Sequence, residues 1–210
     1  MRFHIVSDSS CDLGREELER LDVAMVSYYA AFDDEIYYRE ERDIPTHQFY
    51  QMMAARPGVF PKTSMPTLED YLDAFRPLAA QGLPILCICL NAQFSGSFQT
   101  ALNAASELRE EFPAAEIQVV DSALATVLQG LFVREAVRLR DADFSLAAAV
   151  DALRPLPPTG RIFFTTNELE YLRHGGRIGR AAAATGTLLR VKPLIGYKDA
   201  GLVSDGIAQG

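Results

Sequence analysis

Short, apolar, β-rich segments alternate with helical segments along most of the chain, and this alternation restricts the fold more than any other feature. Strands are predicted over residues 3–6, 84–90 and 114–120, and amphipathic or capped helices over residues 96–109 and 123–140. Strands that alternate with helices form parallel βαβ units. The sequence therefore predicts an α/β fold with a mainly parallel sheet.

Two further segments carry weaker local signals. A hairpin is predicted with its turn at Asp33 and Asp34, and a helix of small residues is predicted after Gly179. The Pro- and Gly-containing residues 156–160 (LPPTG) form the best linker in the chain. We therefore expect an N-terminal lobe over residues 1–158 and the start of a second lobe over residues 159–210.

The charge of the chain is unevenly distributed between these two parts. The net charge is −8, and residues 161–210 contain seven Lys or Arg against four Asp or Glu, so this part carries +3 and residues 1–160 carry −11. Such an acidic balance argues against general nucleic-acid binding. No apolar run approaches the ~20 residues of a membrane-spanning helix. The N-terminus has no signal-peptide pattern, so we expect a cytoplasmic protein.

The sequence contains none of the common cofactor or metal motifs. It has no Walker A sequence, dinucleotide-binding fingerprint, nucleophile elbow, zinc-protease helix or kinase signature. The three cysteines, Cys11, Cys87 and Cys89, suggest neither a disulfide framework nor a zinc site. The last two are expected to point to opposite faces of their strand. A chain of this kind is expected to bind a ligand rather than to transform one, and to use no metal or cofactor.

Short polar side chains follow three of the predicted strands. Residues 7–10 (SDSS), which include Ser9, end the first strand, residues 91–97 follow the second, and Asp121 and Ser122 follow the third. Ligands of parallel sheets bind beyond the carboxyl ends of the strands. We therefore expect these loops to meet at one edge and to form a binding site.

Hydroxyl groups also mark two predicted helix starts. Thr63 and Ser64 precede one helix, and Ser95 and Gly96 open the next. Each pair is compatible with ordinary helix capping. Helix starts also attract anions, so two such starts on one edge could together hold one carboxyl group.

Residues 169–179 (LEYLRHGGRIG) are the most unusual string in the sequence. The paired glycines, which include Gly176, are typical of a helix end, where His174 would lie close to the negative pole. Capping does not explain Arg177, which stands between glycines. A guanidinium group so placed can approach a carboxylate or a phosphate closely.

Taken together, these strings resemble the DegV family of bacterial fatty-acid-binding proteins. Six segments match in family order: residues 5–13 (IVSDSSCDL), 62–66 (KTSMP), 94–100 (FSGSFQT), 120–122 (VDS), 169–179 and 191–194 (VKPL). The resemblance implies two α/β lobes that hold a long-chain fatty acid, such as palmitate or oleate, between them. Relative to the family, the second lobe is expected to be truncated.

The resemblance also implies a carrier that is not itself an enzyme. Its carboxylate ligands would be Thr63 and Ser95, with Ser64 and Gly96 adjacent, and Arg177 would lie near the mouth together with His174 and Gly176. A separate fatty acid kinase would receive the carboxylate and form an acyl-phosphate. Transient contact with a membrane surface is compatible with this function, as is an oligomer in which a partner chain completes the second lobe.

Two other interpretations remain open at this point. One is a hydrolase or acyltransferase with Ser95 as nucleophile and His47 or His174 as base, which requires hydrogen-bond reach between them. The other is a regulatory module that binds a small anion on the basic second lobe.

Overall fold

The computed structural model describes residues 2–32, 35–166, 170–177, 191–198 and 201–209. The strands, β1 to β10 in chain order, are His4–Asp8, Val23–Val26, Tyr29–Ala31, Tyr38–Arg39, Lys62–Ser64, Ile85–Cys89, Ile117–Asp121, Phe163–Phe164, Val191–Lys198 and Gly201–Gln209. The helices, α1 to α7, are Arg15–Arg20, Thr46–Ala54, Leu68–Ala79, Ser97–Glu111, Thr126–Asp141, Leu146–Leu153 and Glu170–His174, and short 3₁₀ helices are Ser9–Cys11 and Pro157–Thr159. The turn predicted at Asp33 and Asp34 and the helix predicted after Gly179 lie outside the described residues.

Four parallel strands form the main sheet in the order β2-β1-β6-β7. Val6 of β1 lies opposite Ala24 of β2 on one side and Cys87 of β6 on the other. All five residues of β6 are buried. A parallel sheet that is covered on both faces selects strands that are apolar throughout, which explains why this segment has no polar alternation. The predicted α/β fold with a parallel sheet is confirmed.

The two faces of the main sheet bury separate apolar clusters. On one face, α5 and α6 pack over Phe3, Ile5 and Ile88. On the other face, α3 and α4 form a cluster that includes Tyr71 and Phe75. Burying one large apolar side chain contributes about 2 kcal/mol before conformational entropy is subtracted. The sheet is therefore the centre of the core and gives the loops at its edge a rigid base.

The buried cysteines correct one expectation from the sequence. Cys87 and Cys89 lie on the same face of β6, with their sulfur atoms 3.7 Å apart. The expectation of opposite faces was wrong, because side chains two positions apart on a strand share a face. All three cysteines are free, and burial raises the pKa of the Cys11 thiol to about 11. Cys11 therefore stays protonated at neutral pH.

Helix α3 begins with a reciprocal pair of hydrogen bonds between Thr67 and Asp70. The Asp70 backbone N–H donates to the Thr67 hydroxyl at 3.2 Å, and the Thr67 backbone N–H donates to the Asp70 carboxylate at 2.8 Å. This reciprocal pair satisfies two N–H groups that a helix start otherwise leaves free. Thr67 is therefore the capping residue of α3, and Thr63 and Ser64 precede it.

Helix α5 carries a buried arginine that holds the turn between α1 and β2. The Arg140 guanidinium donates to the carbonyls of Leu21 and Asp22, each at 2.8 Å, and to the Asp141 carboxylate at 3.0 Å. Only 2% of the Arg140 side chain is exposed. A buried cation is tolerated here because oxygen atoms face its N–H groups.

Two further sheets have three strands each and are antiparallel, in the orders β4-β3-β5 and β10-β9-β8. In the first, Thr63 lies opposite Ala30, and Ser64 lies opposite Tyr29. The second consists of strands that follow residue 159, in the segment that the sequence assigns to a second lobe. No helix within the described ranges is long and apolar enough to cross a membrane.

Candidate functional site

A buried carboxylate joins the loops at the carboxyl edge of the main sheet. Asp8 ends β1, and its two oxygens accept hydrogen bonds from Ser10 Oγ (2.5 Å), Gln129 Nε2 (2.8 Å), Leu90 N (2.9 Å) and Ser97 Oγ (2.9 Å). Burial raises the pKa of the Asp8 carboxyl, and these hydrogen bonds partly oppose that shift. The carboxylate therefore links the ends of β1 and β6 to helices α4 and α5.

The start of α4 is held from two sides. The Ser97 hydroxyl donates to Asp8 and lies 2.6 Å from the hydroxyl of Tyr71. Because the Ser97 hydroxyl has one hydrogen and donates it to Asp8, the Tyr71 hydroxyl must donate to Ser97. Tyr71 therefore donates to Ser97, and Ser97 donates to Asp8.

The neighbouring hydroxyl of Ser95 accepts two hydrogen bonds. The Tyr28 hydroxyl donates to Ser95 Oγ at 2.7 Å, and the Ser97 backbone N–H donates to it at 3.1 Å. A serine hydroxyl has two acceptor positions and one hydrogen. Since both acceptor positions are taken, the hydrogen of Ser95 is the group left to contact a further acceptor. Helix α4 starts at Ser97, with Gly96 as its N-cap residue, so the predicted helix start at Gly96 lies one residue early.

Thr63 and Ser64 lie on β5 and are exposed. The Thr63 hydroxyl makes no hydrogen bond to any residue that the structure describes, and the Ser64 hydroxyl is 3.4 Å from the carbonyl oxygen of Met65. The next residue, Met65, connects β5 to the start of α4. A Cβ atom placed on Gly96 would lie 2.8 Å from the Met65 sulfur, so the thioether packs directly on this glycine. The two hydroxyl-bearing segments are therefore in contact through Met65.

Arg177 also contacts the turn that carries Ser95. The Arg177 side chain is exposed, and its Nε atom donates to the Phe94 carbonyl at 3.4 Å, one residue before Ser95. Its Nη1 atom donates to the Gly175 carbonyl at 2.7 Å. Gly176 has a φ of 69°, in the left-handed region that favours glycine, as expected for a helix end. Arg177 is therefore a cationic group beside the Ser95 turn.

Helix α7 contacts the segment that leads into β5. The His174 ring stacks on Phe60, with the ring centroids 3.8 Å apart and the planes 9° apart. The Tyr171 ring meets Phe60 edge-on, with the centroids 5.0 Å apart. Phe60 precedes Thr63 by three residues, so this aromatic cluster connects α7 to the hydroxyl-bearing strand.

The remaining strand-end residues have partners within the protein. Ser9 donates to Glu40 at 2.6 Å and accepts from the Tyr28 backbone N–H at 2.9 Å. Asp121 accepts from the Ala123 backbone N–H at 2.8 Å, and Ser122 is buried in the same turn. The structure thus brings Ser9 close to Tyr28, while Asp121 and Ser122 form the turn after β7.

Strand β9 contacts the loops that follow β6 and β7. The Tyr197 hydroxyl donates to the Ala123 carbonyl at 2.7 Å and accepts from the Asn91 side-chain amide. The Tyr197 ring lies edge-on to Phe94, with the centroids 5.6 Å apart. Tyr197 thereby attaches the sheet of β8 to β10 to the loop that carries Ser95.

A cavity of about 530 Å³ lies elsewhere, beside β2, and none of the predicted site residues lines it. Both charge signs border it, with Arg15 and Arg39 opposed by Glu19 and Asp70. Such a polar lining does not suit an acyl chain. We therefore take the edge that contains Ser95, Gly96, β5 and Arg177 as the candidate site.

Comparison with known proteins gives the family. The DegV family model, described as "Uncharacterised protein, DegV family", matches residues 2–206. The chain belongs to the DegV family. The resemblance found in the sequence is confirmed.

Individual relatives match nearly the whole chain. A DegV domain-containing protein of Clostridium perfringens is 30% identical over 201 residues, which cover 95% of this chain and 68% of the relative. A stearic acid-binding protein from Eubacterium ventriosum is 44% identical with a TM-score of 0.94, and the match covers 99% of this chain and 71% of that one. A fatty-acid-binding DegV protein from Thermus thermophilus is 32% identical with a TM-score of 0.86, and the match covers 100% and 72% of the two chains.

Neither candidate base is hydrogen-bonded to Ser95 among the described residues. His47 lies on α2, 3.4 Å from Gln51, and His174 stacks on Phe60. The described partners of the Ser95 hydroxyl are Tyr28 and the Ser97 backbone N–H. A serine and histidine pair of the kind expected for the hydrolase interpretation is therefore not formed by these residues.

Sequence reasoning placed Asp8 among the strand-end residues without giving it a role, and it did not identify Tyr28 or Tyr197 as part of this edge. Asp8 carried a recognisable signal, since an acidic residue directly ends an apolar strand. Tyr28 carried none, because a tyrosine beside a short strand is ordinary, and its contact with Ser95 spans 67 residues.

Proposed function

We propose that this protein binds a long-chain fatty acid and holds the carboxylate at the edge formed by Ser95, Thr63 and Arg177. The observation that carries the proposal is the state of the Ser95 hydroxyl, which accepts two hydrogen bonds and keeps its own hydrogen for a further acceptor. The fatty-acid-binding relatives from Eubacterium ventriosum and Thermus thermophilus give independent support for the ligand class.

The chemistry of this edge suits a carboxylate. An anion taken from water must keep its hydrogen bonds or lose several kcal/mol, so donors have to be in place before it arrives. The Ser95 hydroxyl, the exposed Thr63 hydroxyl and the Arg177 guanidinium are such donors. The start of the 15-residue helix α4 adds a positive partial charge to the same edge.

Apolar side chains next to these donors suit an acyl chain. Met65 is 42% exposed, Leu68 39% and Val59 37%, on the segments that flank β5. Burying about 15 methylene groups would supply roughly 12 kcal/mol of gross driving force, from which ordering and association costs are subtracted. The acyl chain therefore provides most of the affinity, and the hydroxyls select the carboxylate.

The protein then acts as a carrier in the cytoplasm and presents the acid to a separate kinase. In that reaction a carboxylate oxygen attacks the terminal phosphorus of ATP, the bond to the bridging oxygen breaks, and ADP leaves as the acyl-phosphate forms. The neutral hydroxyls of Ser95 and Thr63 suit this step because they withdraw less electron density from the attacking oxygen than further cations beside Arg177 would. Transient contact with a membrane surface would let the carrier collect or release its ligand.

The test is a binding measurement on the delipidated protein. Palmitate would displace an environment-sensitive fluorescent fatty acid from the wild type, from Ser95→Ala, and from Ser204→Ala as a control, since Ser204 is exposed on β10. Loss of one hydrogen bond to a charged group costs about 1.5–3 kcal/mol, so Ser95→Ala should bind palmitate about 10-fold to 100-fold more weakly. Unchanged affinity in a folded Ser95→Ala variant would refute the assignment of the site. Native mass spectrometry of the untreated protein should detect a bound long-chain acid.

A further inference from the structure

The Tyr28 side chain is the one hydroxyl that donates to Ser95 among the described residues. Its oxygen lies 2.7 Å from Ser95 Oγ, and the two residues are 67 positions apart in the chain. Tyr28 lies between β2 and β3, and its phenol is partly buried. Burial raises the pKa of Tyr28, so the phenol keeps its proton at physiological pH and remains a donor.

The backbone of Tyr28 is held firmly at both of its polar groups. Its N–H donates to Ser9 Oγ at 2.9 Å, and its carbonyl accepts from the Glu40 N–H at 2.9 Å. Ser9 in turn donates to the Glu40 carboxylate at 2.6 Å, which closes a ring of three residues. A side chain whose backbone is fixed in this way loses little further freedom when its hydroxyl is directed at one acceptor.

The two donors to Ser95 restrict where its own hydrogen can point. Without Tyr28, the Ser95 hydroxyl could rotate, because only the Ser97 N–H would occupy one of its two acceptor positions. With Tyr28 in place, one direction remains for the hydrogen. A hydroxyl that accepts one hydrogen bond also becomes a better donor for the next, because hydrogen bonds in series polarise each other.

We propose that Tyr28 is a positioning residue that aims the Ser95 hydrogen at the ligand headgroup and thereby favours a carboxylate over a neutral alcohol. This inference rests on the proposed function, because it needs Ser95 to contact the headgroup. An ionised acceptor gains more from an oriented, polarised donor than a neutral one does. Selectivity between acid and alcohol is therefore the property that Tyr28 should control.

The experiment compares Tyr28→Phe with Tyr29→Phe in the full chain. The control removes the hydroxyl of the adjacent tyrosine, which contacts both oxygens of Asp70 at 2.9 Å and does not contact Ser95. Affinities are measured for palmitate and for hexadecanol by displacement of the fluorescent fatty acid. We expect Tyr28→Phe to weaken palmitate binding about 3-fold to 10-fold, to leave hexadecanol binding within 2-fold, and to retain the wild-type circular dichroism spectrum. Tyr29→Phe should change neither affinity.

A double substitution separates positioning from a general structural effect. In the Ser95→Ala background, Tyr28→Phe should cause no further loss of palmitate affinity, because the group that it orients is already gone. The inference is overturned if the loss persists in that background, if acid and alcohol are weakened equally, or if Tyr28→Phe binds palmitate as the wild type does. If Ser95→Ala alone binds normally, the proposed function itself fails, whatever the result at Tyr28.

Discussion

Replacing Arg140 by methionine measures how much one buried guanidinium contributes to stability. Methionine keeps most of the aliphatic volume of the arginine side chain and removes its five N–H donors. The carbonyls of Leu21 and Asp22 then lose the guanidinium donors that lie 2.8 Å away in the wild type, whereas the Asp141 carboxylate loses Arg140 but keeps its contact with Arg2 at 3.0 Å. Asp141 is about half exposed and can turn to water, so the two carbonyl contacts decide the effect.

The expected magnitude follows from these two contacts. A hydrogen bond that involves a charged group contributes about 1.5–3 kcal/mol, which gives roughly 3–6 kcal/mol for the pair. The variant no longer buries a cation, and this relief offsets part of the loss. We therefore expect Arg140→Met to lower the free energy of unfolding by about 2–4 kcal/mol.

Urea unfolding followed by far-UV circular dichroism provides the measurement. The matched control is Arg138→Met on the same helix, because that side chain is 63% exposed and pairs with Glu135 on the surface. The control should change the free energy of unfolding by less than about 0.5 kcal/mol. Equal effects of the two substitutions, or a change below about 1 kcal/mol for Arg140→Met, would contradict the reasoning. Palmitate affinity should be unchanged in both folded variants.

Two further predictions concern residues that contact the 3₁₀ helix after β1. Burial raises the pKa of the Glu40 carboxyl above its usual value of 4.5. The folded protein therefore binds the Glu40 proton more tightly than the unfolded chain does. The contribution of Glu40 to the free energy of unfolding consequently falls as pH rises from about 4.5 through the folded-state pKa. Glu40→Gln should therefore show a flatter decline of the urea midpoint between pH 4 and pH 7, and a parallel decline in both proteins would count against this account. A Cβ atom on Gly130 would lie 2.5 Å from the Cys11 carbonyl oxygen. Gly130→Ala should therefore lower the melting temperature although alanine favours helices by about 1 kcal/mol, and a raised melting temperature would argue against a close contact.

The regular elements could be predicted because their signals are local. The strand expected over residues 84–90 is Ile85–Cys89 in the structure, and the helix expected over residues 96–109 is Ser97–Glu111. Strand β6 is apolar throughout, as is typical of parallel strands that are covered on both faces, and both of its faces are covered. Periodicity and capping depend on neighbours within a few residues, so a single sequence contains them.

The network at the site could not be predicted because its contacts are long-range. Tyr28 meets Ser95 across 67 residues, and Asp8 meets Ser97 across 89. The packing of the sheet and its helices brings these residues together, although they are far apart in the sequence. The role of Ser95 as a carboxylate ligand is an expectation from the family resemblance. The direction of its hydrogen bonds follows from the loops that the fold brings together.

The tyrosines beside the candidate site can report ligand binding through their ultraviolet absorption. The chain has eight tyrosines and no tryptophan, so its longest-wavelength ultraviolet absorption comes from phenol rings. Tyr28 bonds the Ser95 hydroxyl, and Tyr197 bonds the turn after β7, so both rings adjoin the place where a headgroup would arrive. Occupancy can therefore be followed without a label, as a difference spectrum that Tyr28→Phe would diminish.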